Sequence, residues 1–457
     1  MTTATRKATR SQEDIDHDIG LILDKLGHDL SPEQERVVRC CEREVLVGGG
    51  ERGGKSFISA DYLNVRFWED DLYWITGRDY DRTHAEFEYT AKAMLQLGAV
   101  KAEAVHTPAN SQWYMKLQTG AIIKTWSLKD WLKVGSEAPG GIIICEVAQI
   151  THPEYMRVRD RTAEKRGWVL GSGTFESSLG WFPELWKQYQ LPAQPGKSFS
   201  LPTWSNKVVY PEGFEDAEIQ RLKGLYPEDY FNERFGGIPC PPHGLVFPEF
   251  RYMVHVKEMP IEDAPIYLFI DPGYAGAYAV EVVQVTSDTV SIVEEIYEQG
   301  LVTEQIIDIC MQKPWWRLVA GGVVDIAARQ HQAMPAVVEI WASKAKLVLQ
   351  SNAVAEDAGR ERLHTFLTVN PLDHQPRIFI DPRCRGILSE FGACPNPFTN
   401  EAAPYKWRED RAGMVVGSAP EDRNNHGIKA LIYGLVDKFG YVSRSMGSKS
   451  GVIMVGW

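Results

Sequence analysis

Residues 49–56 read Gly49-Gly50-Glu51-Arg52-Gly53-Gly54-Lys55-Ser56, a full match to the pattern G-x-x-x-x-G-K-[ST]. The chemistry this implies is phosphate binding. Glycines let the backbone wrap close to an anion, so that successive N–H groups point inward at it. Lys55 brings a point charge to the β- and γ-phosphates, and Ser56 a hydroxyl to Mg²⁺. The motif requires a strand before it and a helix after it. Val45-Leu46-Val47 supplies the first, and Phe57–Leu63 continues as the second. An ordinary Gly-rich turn is the alternative. The full match in a strand–loop–helix context favours a bound nucleoside triphosphate, ATP with Mg²⁺.

Such a loop needs a second strand that brings an acid to the γ-phosphate. Gly141-Ile142-Ile143-Ile144-Cys145-Glu146 is an apolar run ending in a carboxylate, as expected of a buried parallel strand whose carboxyl end opens on the nucleotide. Glu146 is then the general base for the attacking water, or simply a solvated strand-end acid. An Asp holding Mg²⁺ ordinarily precedes such a Glu. Here that position is Cys145, which leaves Ser56 and water to hold the metal. Gln34, opening a helix before the first strand, has an amide suited to an adenine edge, although an exposed helix-start Gln reads the same way. The polar turns Gly77–Tyr80 and Gly171–Thr174 suit sensing of the γ-phosphate. Lys133 is either a cation supplied to a neighbouring subunit or a surface lysine.

A second group of acids stands in the other half. Asp271 ends the run Ile266–Ile270, and Asp325 ends Val323-Val324. Two Asp at strand ends of one sheet can converge on a divalent metal pair, Mg²⁺ or Mn²⁺, that activates water for phosphodiester hydrolysis. Each alone is also a favoured turn residue. Together, and beside an ATPase module, they point to an RNase H-like nuclease. A further ligand is expected from the late helix. His426 is the first choice, because imidazole suits Mn²⁺ better than Mg²⁺, and Asp422 is the second, unless it only caps that helix.

These residues need two sheets to position them, and 457 residues are enough for two cores, with 44% hydrophobic content and 14 Trp. Apolar strand-like runs alternate with helical stretches over 29–205, as in a parallel α/β sheet. Residues 206–255, rich in Pro, Gly and charge, read as a linker or lid. Strands resume at Ile266–Ile270 and run through Ala277–Val285, Val290–Tyr297, Leu318–Val324 and Lys346–Leu349, and the last patterned helix is Ile428–Phe439. The expected division is an arm over 1–28, an ATPase domain over 29–205, the linker over 206–255, a nuclease domain over 256–440 and a tail over 441–457. No apolar run is long enough to span a membrane, and Met1–Lys7 has no apolar core of a secretory signal. The seven Cys are scattered without a C-x-x-C pair, a pattern of reduced cytosolic thiols and not of a zinc site. A net charge of −12 decides nothing, since a DNA enzyme can gather its basic residues on one surface.

The order of these parts resembles the large terminase subunit of tailed bacteriophages, the motor-nuclease that packages DNA into a procapsid. The resemblance is carried by Gly49–Ser56, Ile142–Gln149, Gly171–Gly180 as a coupling motif, Tyr226–Phe250 as a connector, Ile270–Gly273, Val324–Ala327 and Asn425–Tyr433, over residues 30 to 440. It implies a P-loop ATPase sheet followed by an RNase H-like domain, with Lys55, Ser56 and Glu146 at the ATPase site and Asp271 and Asp325 at the nuclease metals. It further implies double-stranded DNA, a small terminase subunit and a portal protein as partners, a homo-oligomeric ring (a pentamer), no membrane, and work in the host cytoplasm during assembly. Two departures stand out. The late helix holds Asn425, His426 and Lys429 where the family commonly has an acid, and the loop arginine is shifted to Arg52. The alternatives are a repair or helicase-like ATPase–nuclease and a DNA-clamping assembly factor with a degenerate nuclease. The second half shows no arginine-bearing helicase motif.

Overall fold

Runs such as Val45–Val47 and Ile142–Ile144 have no polar face, so each strand they form must be covered on both sides. The computed structural model describes residues 12–109, 111–129, 137–176, 179–241, 243–325, 335–409 and 415–442. It divides into two compact units, Met1–His243 with Gly392–Pro395, and Gly244–Phe391 with Asn396–Trp457.

The first unit is built on eight strands: β1 Glu44–Gly49, β2 Leu72–Gly77, β3 Val105–His106, β4 Tyr114–Lys116, β5 Ile122–Ser127, β6 Gly141–Ile144, β7 Trp168–Gly173 and β8 Gly196–Leu201. Their order is β3-β4-β5-β2-β6-β7-β1-β8. β5 through β8 run parallel, and β3 and β4 are added antiparallel at one edge. β6 and β7 are buried throughout. The helix Lys55–Asn64 packs Ile58, Tyr62 and Leu63 on Val45, Ile75, Ile143 and Leu170. This geometry brings the carboxyl ends of β1, β6 and β7 to one edge of the sheet, where ligands of open α/β sheets bind.

Two segments read as peripheral are folded into this unit. Gln12–Leu26 is a helix whose Ile19 and Leu23 join the core. Residues 206–243, the first part of the expected linker, carry the helices Ala217–Leu225 and Glu228–Arg234, with Ile219, Phe231 and Phe235 in a core of their own.

The second unit has a six-stranded mixed sheet: β9 Ile266–Asp271, β10 Ala277–Val285, β11 Val290–Gln299, β12 Val319–Val324, β13 Leu349–Gln350 and β14 Ile378–Ile380, ordered β13-β12-β9-β10-β11-β14. β9, β10 and β11 form an antiparallel meander, and β12 lies parallel to β9 on its other side. That is the RNase H-like arrangement. The helix His426–Phe439 packs against β9, β10 and β12. A hairpin of β15 Trp407–Glu409 and β16 Val415–Pro420 precedes it. Among the described residues no helix is long and apolar enough to cross a membrane.

Candidate functional site

Gly49 ends β1, and the loop that follows turns into the helix at Lys55. Its shape is fixed from outside by backbone. The Gly50 amide donates to the Leu201 carbonyl at 2.9 Å and the Glu51 amide to the Arg234 carbonyl at 2.9 Å. A Cβ on Gly50 would lie 2.2 Å from the Phe235 carbonyl oxygen, so only glycine fits there. Gly54 starts the helix at φ 86°, in the left-handed region, and has no side chain with which to cap it. The first-turn amides of Lys55, Ser56 and Phe57 are therefore the donors left for an anion. Arg52 is exposed at φ 60°, its carbonyl accepting from Asn206, and Glu51 is ion-paired with Arg234.

Lys55 reaches across this cradle. Its Nζ donates to Thr174 Oγ1 at 2.9 Å, beyond the end of β7, and to the Gly50 and Gly49 carbonyls at 3.0 and 3.4 Å. Burial pulls its pKa below the ordinary lysine value, while Glu146 and Glu51 push it back up. Gln34 is buried in a capping box. Its Oε1 accepts from the Ser31 amide at 2.9 Å, and its Nε2 faces Gly54. Only the amide NH₂ is left to meet a base, so any adenine contact uses an acceptor of the ring.

Glu146 follows β6 at φ 46°, in left-handed backbone that costs a non-glycine residue about 1–3 kcal/mol. Such strain is typical of residues held for function. Cys145, just before it, is fully buried. Sequence reasoning missed the residue that packs beside that thiol. Glu86, in the first turn of the helix His84–Leu97, is 4% exposed with its carboxyl beside Ser56 and Cys145. Burial pushes its pKa up. Lys133 lies outside the described residues, as do two residues of the 171–180 segment.

In the second unit Asp271 ends β9, and Asp325 follows β12 one residue past the Val324–Ile270 register pair. The two carboxylates therefore sit at the ends of adjacent parallel strands, and the Tyr433 hydroxyl on the late helix is pushed up by burial first and then by both of their charges. Asp271 Oδ2 bonds His426 Nδ1 at 2.8 Å. That partner raises the imidazole pKa, while burial raises that of Asp271. His426 Nε2 packs against Gly276, which a Cβ would bring to 2.4 Å. The imidazole is thus seated through Nδ1 as the partner of Asp271, and Nε2 is the nitrogen left for a metal or a proton. Its helix is held in turn by Glu390, whose carboxylate accepts from the Gly427 and Ile428 amides at 3.0 and 2.8 Å. Acid at a helix N-terminus is stabilising.

Asp422 does not cap the late helix. Its carboxylate accepts from Lys429 Nζ at 2.6 Å, and the residue that caps the helix is Asn425. Lys429 also feels the charge of Asp271, so a cation stands where an acid was sought. Among the described residues no three His, Cys, Asp or Glu side chains form a metal-holding group. The hard oxygens of Asp271 and Asp325 suit Mg²⁺ or Mn²⁺, and a complete ligand set needs more than these two.

No family model and no curated protein matches the chain. Among solved structures it is similar to the large terminase of a thermophilic bacteriophage in complex with ADP, at 14% identity and TM-score 0.40, over 89% of this chain and 99% of that one. It is similar to the large terminase ATPase domain of Thermus phage P74-26 at 16% identity and TM-score 0.38, over 48% of this chain and 96% of that one. It is similar also to the large terminase nuclease domain of bacteriophage SPP1 with bound Mn, at 17% identity and TM-score 0.29, over 40% of this chain and 96% of that one. Likeness at this level carries no functional argument. The functional reading rests on the residues of the two sites.

Proposed function

We propose that this chain is a DNA-packaging motor of the large-terminase kind, in which ATP hydrolysis drives double-stranded DNA into a procapsid and a metal-dependent endonuclease cuts the concatemer. The observation that carries the reading is the pairing, in one chain, of a phosphate cradle at the end of β1 with Asp271 and Asp325 at adjacent strand ends of an RNase H-like sheet.

In the first unit the Gly54–Ser56 turn and Lys55 bind the phosphates of ATP, Ser56 offers its hydroxyl to Mg²⁺, and Glu146 takes the proton of the attacking water. Lys55 donates to Thr174, beyond the end of β7. Phosphate competes for the same ammonium, which links nucleotide occupancy to the segment after β7. In the second unit Asp271 and Asp325 would hold Mg²⁺ or Mn²⁺, and the chemistry such an ion would supply is activation of water and stabilisation of the leaving oxygen. His426 orients Asp271, and Lys429 offsets the negative charge of the site. The partners are DNA, a small terminase subunit, a portal protein and further copies of this chain in a ring, and the setting is the host cytoplasm during assembly.

A second reading, a DNA clamp with a degenerate nuclease, is favoured by Lys429, a cation on the late helix that feels the charge of Asp271. One experiment separates them. The full chain is assayed for phosphate release with and without linear double-stranded DNA, and for Mn²⁺-dependent cleavage of plasmid. The motor-nuclease reading expects DNA-stimulated hydrolysis and cleavage. Hydrolysis without cleavage at any Mn²⁺ concentration selects the clamp, and the absence of both sinks the proposal.

A further inference from the structure

A Mg²⁺ ion beside Ser56 needs a carboxylate near it, and the first residue after β6, Cys145, supplies none. The neighbouring helix does. Glu86 is 4% exposed, its carboxyl lies beside the Ser56 hydroxyl and the Cys145 thiol, and its Oε2 has no hydrogen-bond partner. A buried acceptor left unpaired has lost its water without a replacement, and the loss is greater for a charged group. The same helix buries Phe87, Thr90, Ala91, Ala93 and Met94, so an apolar residue at 86 would join that packed face at no such cost. Apolar packing therefore does not account for a carboxylate at 86, whereas a cation shared with Ser56 would use the unpaired oxygen.

We propose that Glu86 is the carboxylate that holds the nucleotide's Mg²⁺ together with Ser56, doing from the helix after β2 what an Asp at position 145 does from β6. The inference rests on the nucleotide reading above and names the residue that reading lacked. It also gives Cys145 a reason. An Asp there would set a second carboxylate against Glu86 inside the core, where like charges repel strongly. A small neutral thiol fills the space without that repulsion.

The test reads metal-linked binding and not turnover. A fluorescent ATP analogue is titrated onto the full chain in EDTA and over a range of Mg²⁺ concentrations. The parent is expected to bind more tightly as Mg²⁺ rises. Glu86→Gln, close in shape, should bind the analogue in EDTA as the parent does and need roughly 10–100-fold more Mg²⁺ for the same enhancement, the range typical of disturbed metal sites. Cys145→Asp added to Glu86→Gln should restore most of the response, because it returns the carboxylate from the other side. Glu86→Asp, with the charge on a shorter stem, gives the same readout if the Gln variant does not fold. A parental Mg²⁺ midpoint in Glu86→Gln overturns the assignment while leaving the nucleotide reading intact. A parent that binds no analogue at any Mg²⁺ concentration overturns that reading, and the assignment with it.

Discussion

The two sites are made in opposite ways. The cradle at 49–56 is one run of backbone, braced by the carbonyls of Leu201, Arg234 and Phe235. The second site is made of side chains from three distant stretches, the acids Asp271 and Asp325 and the imidazole of His426, which meet only because β9 and β12 pair and the last helix lies over them. A backbone site depends on glycines and a few fixed contacts. A side-chain site depends on everything packed beneath it, so its weak points lie outside the reacting residues.

The sharpest way to break this comparison is to remove the lysine that reaches across the cradle. Lys55→Ala is expected to lower ATP turnover by at least about 10²–10³-fold, the usual cost of losing a charge-stabilising donor. Glu146→Gln should keep nucleotide binding and lose hydrolysis by a comparable factor, since the amide cannot accept a proton. Phosphate release measures the first effect, and equilibrium nucleotide binding separates it from the second. If either variant also abolishes Mn²⁺-dependent plasmid cleavage, the two sites are not independent.

The converse experiment is next in size. Asp271→Asn and Asp325→Asn should each bring cleavage to background while phosphate release stays near parental. Equal losses in both assays would mean that the division into two chemistries is wrong.

How far each site could be read from the sequence follows from the same contrast. Gly49–Ser56 was legible because its geometry is local, as were Ala277–Val285 and the late helix. Glu86 was not, because its place depends on the register of a helix that carries no motif. A signal was there: a carboxylate at 86 shares a stripe with Thr90, Ala93 and Met94, where a solvated charge does not belong. The role of residues 206–243 was hidden for another reason. Pro, Gly and charge suggest a linker, but the segment's function lies in the carbonyls of Arg234 and Phe235, and any sequence could supply those.

A smaller effect tests the late helix. His426→Ala removes the partner of Asp271 and should raise the Mn²⁺ needed for cleavage by roughly 10–100-fold, as loss of a ligand-orienting residue does. Asp422→Ala frees Lys429 and should shift that requirement much less, because Asp422 bonds Lys429 and Asn425 instead. A larger shift in Asp422→Ala would make Asp422 the ligand in place of His426, or mean that Lys429, once released, moves onto Asp271. A Mn²⁺ titration of cleavage by both variants beside the parent decides this.

The smallest effect lies beneath that site, in the packing on which it depends. Glu281 stands in β10 with no exposure, directly across from Glu295 of β11, and neither of its carboxyl oxygens has a hydrogen-bond partner. Burial first, and then the charges of Glu295 and Glu390, hold its pKa well above the ordinary carboxylate range. Burial likewise pushes Glu295 up to about 8, although it accepts from the Gly386 and Ile387 amides. The sign follows from linkage. Above the unfolded value of 4.5 the unfolded chain releases these protons while the folded chain retains them. Stability is therefore greatest below that value and falls as pH rises through the folded pKa values, by up to about 1.4 kcal/mol per pH unit for each retained proton. Glu281→Gln removes one titrating group and one like-charge neighbour. Denaturant unfolding of the parent between pH 5 and 9 should show the second unit losing stability as pH rises, with a shallower slope in the Gln variant and the gain greatest at the alkaline end. Parallel slopes would mean that Glu281 keeps its proton, or its charge, equally in both states. The cluster would then add nothing to the pH dependence of the second unit.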